Sequence, residues 1–246
     1  MKALLLAAGL GTRLRPLTNH VPKCMVPLHG KPLLGYWLDL LVPNGVNRIL
    51  VNTHYLPDAV RAFVGISKWR DAIALAHEDK LLGTGGTILK NRTFLGDGPF
   101  LVAHADNLTR FDVAAFIARH AQRPLNVEIT MMTFDTDQPQ SCGIVELDQQ
   151  GVVIAFHEKS DCPPGNLANA AVYILEPSVT DFLASRGKEV IDLSTEVLPY
   201  YLGRMQTWHN TGYHRDIGTP ESLALAEREY PYDDVRDLLA TSHSKP

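Results

Sequence analysis

Several broad classes are excluded by what this chain lacks. Its 246 residues include only three cysteines, Cys24, Cys142 and Cys162, with no C-x-x-C pair. An odd, scattered set predicts reduced thiols and a cytoplasmic setting, not a disulfide scaffold. No apolar run approaches the roughly 20 residues of a membrane span, and the N-terminus reads as a strand without a small-residue cleavage site, so no signal peptide is expected. The ten histidines contain no H-E-x-x-H, which argues against a zinc hydrolase helix. Basic residues are not in excess. Lys and Arg number 23 against 27 Asp and Glu, a net charge of −4, so no global field invites nucleic acid. A Walker loop, G-x-x-x-x-G-K-[ST], is missing. The dinucleotide fingerprint G-x-G-x-x-G also fails, because Leu14 stands where its third glycine belongs and Pro16 interrupts the first helical turn.

What is present suits one large α/β domain. The apolar fraction is 45%, enough for a sizeable core. Residues 1–229 read as that domain and 230–246 as a polar tail. Lys2–Ala8 predicts a buried strand, Leu33–Leu41 a helix, Arg48–Thr53 a strand, Pro57–Val64 a helix and Ile73–His77 a strand. A Gly-rich turn follows at Gly83–Gly86, then a strand over Phe100–Ala105 and a helix over Asp112–Gln122 with Asp112 as its N-cap. This alternation predicts a mostly parallel sheet with helices on both faces. The second half is mixed. It predicts strands over Asn126–Phe134 and Ala170–Leu175, a hairpin from Gly143–Leu147 and Val152–His157, and helices over Pro177–Ala184 and Asp192–Leu202. Thr219, Pro220 and Glu221 open a final helix.

The residues suited to chemistry fall at expected strand ends, where doubly wound sheets bind ligands. The first strand runs into Gly9-Leu10-Gly11-Thr12-Arg13, a turn whose glycines let backbone N–H groups approach an anion. Arg13 carries a planar fork suited to phosphate oxygens, and Lys23 could neutralise a phosphoryl group or be merely solvated. Asp106, at the exit of a buried strand, reads equally as a turn cap or as a ligand of a hard cation such as Mg²⁺, with Asp216 as a second carboxylate. Glu158 and Lys159 read, on their own, as an exposed ion pair.

The ordered set Gly9–Thr18 with Pro22-Lys23, Leu82–Gly86, the Asp106 strand end, Cys142-Gly143-Ile144, Glu158-Lys159, Asn169–Tyr173 and Asp216–Pro220 resembles the sugar-phosphate nucleotidylyltransferases. The resemblance runs from Met1 to about Glu229. It implies a single doubly wound, Rossmann-like α/β domain with a small β element over the sugar site. It also implies site residues. Gly9, Gly11, Thr12 and Arg13 would bind the triphosphate, and Lys23 would stabilise charge in the transition state, with Arg13 and Asp106 also catalytic. Glu78 and Gly83 would lie near the base. Gly143, Glu158, Lys159 and Asn169 would bind the sugar phosphate, and Asp106 and Asp216 would hold Mg²⁺. The implied partners are a nucleoside triphosphate and a sugar 1-phosphate, with neither nucleic acid nor membrane. A carboxylate at Glu78 matches the two donors of guanine's Watson–Crick edge, which favours GTP. A uridylyl-, thymidylyl- or cytidylyltransferase, or a catalytically silent nucleotide-sugar sensor, are the alternatives. Two departures stand out. Ala105-Asp106 replaces the family's usual Gly-Asp, and Asn169-Ala170-Ala171 replaces its usual Asn-Ala-Gly.

Overall fold

The computed structural model describes residues 1–231, and the expected tail lies outside the described residues from position 232 onward. Strand β1 (Lys2–Leu6) is apolar and buried at its centre, as a strand flanked by parallel neighbours must be. A short pair, β2 (Pro27–Leu28) and β3 (Lys31–Pro32), leads into α1 (Leu33–Leu41). There follow β4 (Arg48–Thr53), α2 (Pro57–Ile66), β5 (Ile73–His77), α3 (Gly83–Lys90), α4 (Arg92–Leu95), β6 (Phe100–His104), β7 (Asn107–Arg110) and α5 (Val113–Ala121). Asp112 caps α5, its side chain accepting from Ala115 N–H at 2.9 Å. The second half adds β8 (Ile129–Asp135), β9 (Gly143–Leu147), β10 (Val153–Glu158), β11 (Leu167–Leu175), α6 (Pro177–Ser185), α7 (Leu193–Glu196), β12 (Met205–His209), β13 (Tyr213–Asp216) and α8 (Pro220–Glu229).

The main sheet runs β10-β9-β11-β6-β1-β4-β5, with β8 paired to β11 and β12 to β8. Strands β6, β1, β4 and β5 are mutually parallel. The expected parallel order holds there. Beyond β6 the sheet is mixed: β11 runs antiparallel to β6, β8 and β9, β9 and β10 form a hairpin, and β12 is parallel to β8. Alternate residues of each central strand enter different cores. Ala3, Leu5, Val51 and Ala103 pack under α1, α2 and α5 through Trp37, Val60 and Phe116. Leu4, Leu50 and Val102 pack under α3, α4 and α6 through Ile88, Leu95 and Leu183. A third cluster joins Leu14, Val26, Leu33, Leu108, Ile217 and Ala226, and it ties the segment after β1 to β13 and α8.

Three expectations need correction. Gly83–Gly86 is not a free turn but the first turn of α3. The helix expected over Asp192–Leu202 breaks into α7 and a 3-10 turn at Leu198–Tyr201, because Pro199 has no N–H to give and its ring clashes with the preceding turn. Tyr230 does not belong to a loose tail. Its ring packs edge-on against Tyr36 and Tyr213 at 5.2 and 5.3 Å between centroids.

Strand β11 bulges between Asn169 and Tyr173, and Ala171 within the bulge adopts φ +54°. That conformation brings an L residue's Cβ close to its own carbonyl oxygen and favours glycine. Ala171→Gly is expected to raise the unfolding free energy by about 0.5–1 kcal/mol, the relief of left-handed strain less the extra freedom of glycine in the unfolded chain. Urea unfolding checks it. An unchanged or lower midpoint would show that the bulge holds Ala171 without strain.

Candidate active site

The C-terminal ends of β1, β4, β5 and β6 share one sheet edge, and the candidate residues gather there. The segment after β1 is held in place by Leu14, which is buried in the third cluster. Gly11 is required twice over. Its φ is +61°, and a Cβ on it would sit 3.0 Å from Thr18 Cγ2 and 3.1 Å from Lys23 Cβ. Thr18 Oγ1 closes the turn by donating to Gly11 O at 2.7 Å. Past this loop, Pro22 delivers Lys23 inward, and its ammonium is 2.7 Å from Asp106 Oδ2 and 3.0 Å from Asp216 Oδ1. Arg13, largely exposed, reaches Asp216 Oδ2 at 3.4 Å.

The register of a two-stranded sheet makes this meeting possible. Strand β13 runs antiparallel to β7 with Asp216 opposite Asn107, which sets Asp216 beside Asp106 at the exit of β6. Burial works against the charged forms of both Lys23 and Asp106, yet their mutual attraction prevails. The Lys23 amine is held above its ordinary range by the two carboxylates, and Asp106 below its own by Lys23. Two residues before Asp216, burial pushes the His214 imidazole down to about 3, so it is neutral, and its ring lies 4.3 Å from that of Phe134.

On the other side of β1 a cleft of about 220 Å³ is lined by Leu6, Gly9, Asn52, Glu78, Gly83, Thr87, His104 and Asp106, among others. Glu78 is 1% exposed, and its Oε1 accepts from Asn52 Nδ2 at 3.0 Å and from Thr87 Oγ1 at 2.7 Å. The glycines of α3 serve close packing. A Cβ on Gly83 would lie 2.4 Å from Ile191 O, and one on Gly86 2.2 Å from Glu189 O. The N–H groups of Gly85 and Gly86 both donate to Ile191 O.

A third group lies at the base of the β9–β10 hairpin, which joins the sheet through Ala168 and Ile144. Gly143 pairs with Glu158, and a Cβ at 143 would collide with the Phe156 ring at 2.6 Å and with Glu158 Oε2 at 2.8 Å. Burial raises the Glu158 carboxyl above its ordinary range, against the pull of Lys159, whose Nζ is 3.7 Å away. Lys159 itself takes φ +46°. Asn169 donates to Tyr173 OH at 2.7 Å and accepts from Ala171 N–H at 2.9 Å. His104, the last residue of β6, lines the cleft together with Asp106.

The sequence model of the nucleotidyl transferase family matches residues 2–232. The chain belongs to that family. It is 33% identical over 226 residues to a mannose-1-phosphate guanylyltransferase of Mycobacterium tuberculosis, covering 90% of this chain and 62% of that protein. It is 30% identical over 214 residues to a UTP–glucose-1-phosphate uridylyltransferase of Synechocystis, covering 81% of this chain and 54% of that protein. The chain thus spans little more than half the length of these curated relatives. Among solved structures, HddC from Yersinia pseudotuberculosis complexed with GMP-PN aligns with a TM-score of 0.79 and 25% identity, covering 94% of this chain and 99% of that one.

At this sheet edge and around β13, the sequence alone does not single out Asn52, Thr87, His104 and His214. Asn52 is the penultimate residue of β4 and His104 the last of β6, so position near a strand terminus is the usable signal. Thr87 gave none, since it lies in the middle of a helix. Lys23 supplies a prediction. Lys23→Met leaves Asp106, three-quarters buried, beside Asp216 with no ammonium between them. A loss of about 2 kcal/mol at pH 7 is expected, less than for a fully buried pair because Asp216 is half exposed. The depressed Asp106 pKa contributes stability present above the ordinary carboxylate range and lost as pH falls through its folded value. The gap between variant and wild type should therefore narrow in acid. Urea titrations at pH 7 and near pH 4 check this, and a gap that widens would contradict it.

Proposed function

We propose that the chain transfers a nucleotidyl group from a nucleoside triphosphate to a sugar 1-phosphate, releasing pyrophosphate. The observation that carries the reading is the buried Lys23 ammonium between Asp106 and Asp216, beside the Gly9–Arg13 loop. The Gly9, Gly11 and Thr12 backbone would cradle the triphosphate, with the Arg13 fork on its oxygens. Lys23, held charged by its carboxylate neighbours, would stabilise charge that builds on the phosphoryl group. A sugar-phosphate oxygen attacking the α-phosphorus in line needs only positioning and charge neutralisation, so no covalent enzyme intermediate is required. Gly143, Glu158, Lys159 and Asn169 would hold the sugar phosphate.

Asp106 and Asp216 fit a divalent cation of the Mg²⁺ class. They are two hard carboxylates converging within 3.0 Å of a single ammonium. The absent Cβ of Gly218 keeps their approach open, since it would meet Asp216 Oδ2 at 2.8 Å and the Arg13 guanidinium at 3.0 Å. When bound, the ion supplies charge neutralisation for the phosphates.

GTP is the favoured triphosphate. Glu78 supports this as a carboxylate at the wall of the cleft, and so do the names of a guanylyltransferase relative and of a structural neighbour bound to GMP-PN. A mannose- or heptose-type 1-phosphate is the favoured acceptor. A cytoplasmic setting is supported by the three free cysteines.

Pyrophosphate release measured with GTP, UTP, dTTP, CTP and ATP against a panel of sugar 1-phosphates tests the reading. GTP with a mannose- or heptose-type 1-phosphate is expected to turn over fastest. A clear preference for UTP or dTTP would remove the guanine assignment, and binding without turnover across the panel would remove the enzyme. Asp106→Asn is expected to lower turnover at least about a hundredfold. A near-normal rate with unaltered Mg²⁺ dependence would reduce Asp106 to a turn cap.

A further inference from the structure

A chain of oriented hydrogen bonds lies behind Glu78. The N–H of Ala7, just past the end of β1, donates to Asn52 Oδ1 at 2.7 Å. This fixes the Asn52 amide, because only its Nδ2 is then left to face Glu78. Asn52 Nδ2 and Thr87 Oγ1 both donate to Glu78 Oε1, at 3.0 and 2.7 Å. All three side chains are almost fully buried, at 1–2% exposure. The backbone of Glu78 is fixed as well, its N–H donating to Thr53 O at 2.8 Å and its carbonyl lying 2.7 Å from His54 Nδ1.

We propose that Asn52 and Thr87 are positioning residues that decide which atom of side chain 78 faces the nucleotide base. The proposal rests on Glu78 reading the base. Both donors converge on Oε1, so Oε2 is the oxygen left for a ligand in the cleft. A carboxylate held this way always presents an acceptor. A glutamine held the same way would keep its carbonyl oxygen on the two donors and turn its NH₂ into the cleft. One pair of donors thus makes position 78 a binary selector. Its free atom is an acceptor for an N–H of guanine's Watson–Crick edge when the residue is Glu, and a donor for a pyrimidine carbonyl when it is Gln. Since Asn52 is itself anchored by Ala7, the selector is fixed to the strand that opens the phosphate loop. Base and triphosphate are therefore positioned from one element.

The test measures kcat/KM for GTP and for UTP in the full chain with saturating sugar 1-phosphate. The variants are Thr87→Val, Thr87→Ala, Thr87→Ser and Glu78→Gln, with thermal unfolding as the check on folding. Thr87→Val removes the hydroxyl at nearly constant volume. It should lower the GTP-to-UTP ratio about tenfold, the scale of one lost hydrogen bond, mainly through KM for GTP. Thr87→Ser should restore the ratio. Glu78→Gln should invert it, and the inversion should weaken when combined with Thr87→Val. Thr87→Ala replaces Thr87→Val if the latter does not fold. A wild-type ratio in the folded Val or Ala variant overturns the proposal, as does a Ser variant no better than Val. If wild type prefers UTP, the guanine assignment fails alone, and the Val–Ser comparison still judges the pair on the measured ratio. If nothing turns over, dissociation constants of GDP and UDP give the same comparison, which separates failure of the enzyme reading from failure of this one.

Discussion

The site depends on one ammonium. Lys23 lies between Asp106 and Asp216 and joins three stretches of chain that are distant in sequence: the loop after β1, the exit of β6 and the end of β13. Taking such groups out of water is costly, and only a close geometry with opposite charges makes it tolerable. The surroundings supply that geometry. Pro22 aims the lysine inward, the β7–β13 register places one carboxylate beside the other, and Leu14, Val26 and Ile217 bind the participating segments into one apolar cluster. In the proposed reaction the cation would meet phosphate and the carboxylates a metal. What the structure itself shows is that this pairing ties the three segments together.

The central strands explain why this edge is rigid. Strand β1 has a parallel partner on each side and a core on each face, so its end is fixed in register with those of β4 and β6. The other side of the cleft is rigid for a different reason. The first turn of α3 lies against the backbone of Glu189–Ile191 so closely that no side chain fits at Gly83 or Gly86. The glycine-rich string that reads as a turn packs closely against that backbone, with Gly83 at the cleft wall. Its contribution is to hold Thr87 where it can reach Glu78.

Two features of the β11 and β13 region stand out. Ala171 takes a left-handed conformation in the β11 bulge beside Asn169, where glycine would be at ease. His214, which burial keeps neutral, packs at a tilt against Phe134, and it lines a cavity of about 400 Å³ with Arg13, Asp216 and Cys142. The departures are spread over the candidate site: Ala171 lies in the β11 bulge, and Ala105 directly precedes Asp106 at the exit of β6.

Local chemistry made much of this legible in the sequence. The bounds of α1, β4 and β5 coincide with those expected, because apolar periodicity and Pro or Gly punctuation act over a few residues. Asp112 and Thr219 cap their helices as their residue types predict. Arg13, Lys23, Asp106 and Asp216 were visible as candidates, each with a bland alternative that the sequence could not remove. Only the tertiary structure decided between them. Whether a carboxylate is a turn cap or part of a charged cluster depends on a strand register set between residues about a hundred positions apart, and hydrogen-bond pairing across a sheet leaves no local trace. The same holds for Glu78, whose side chain is buried and bonded only once β4 and α3 fold around it. Its partners Asn52 and Thr87 have ordinary identities in ordinary elements, and their role exists only once three segments share one buried oxygen.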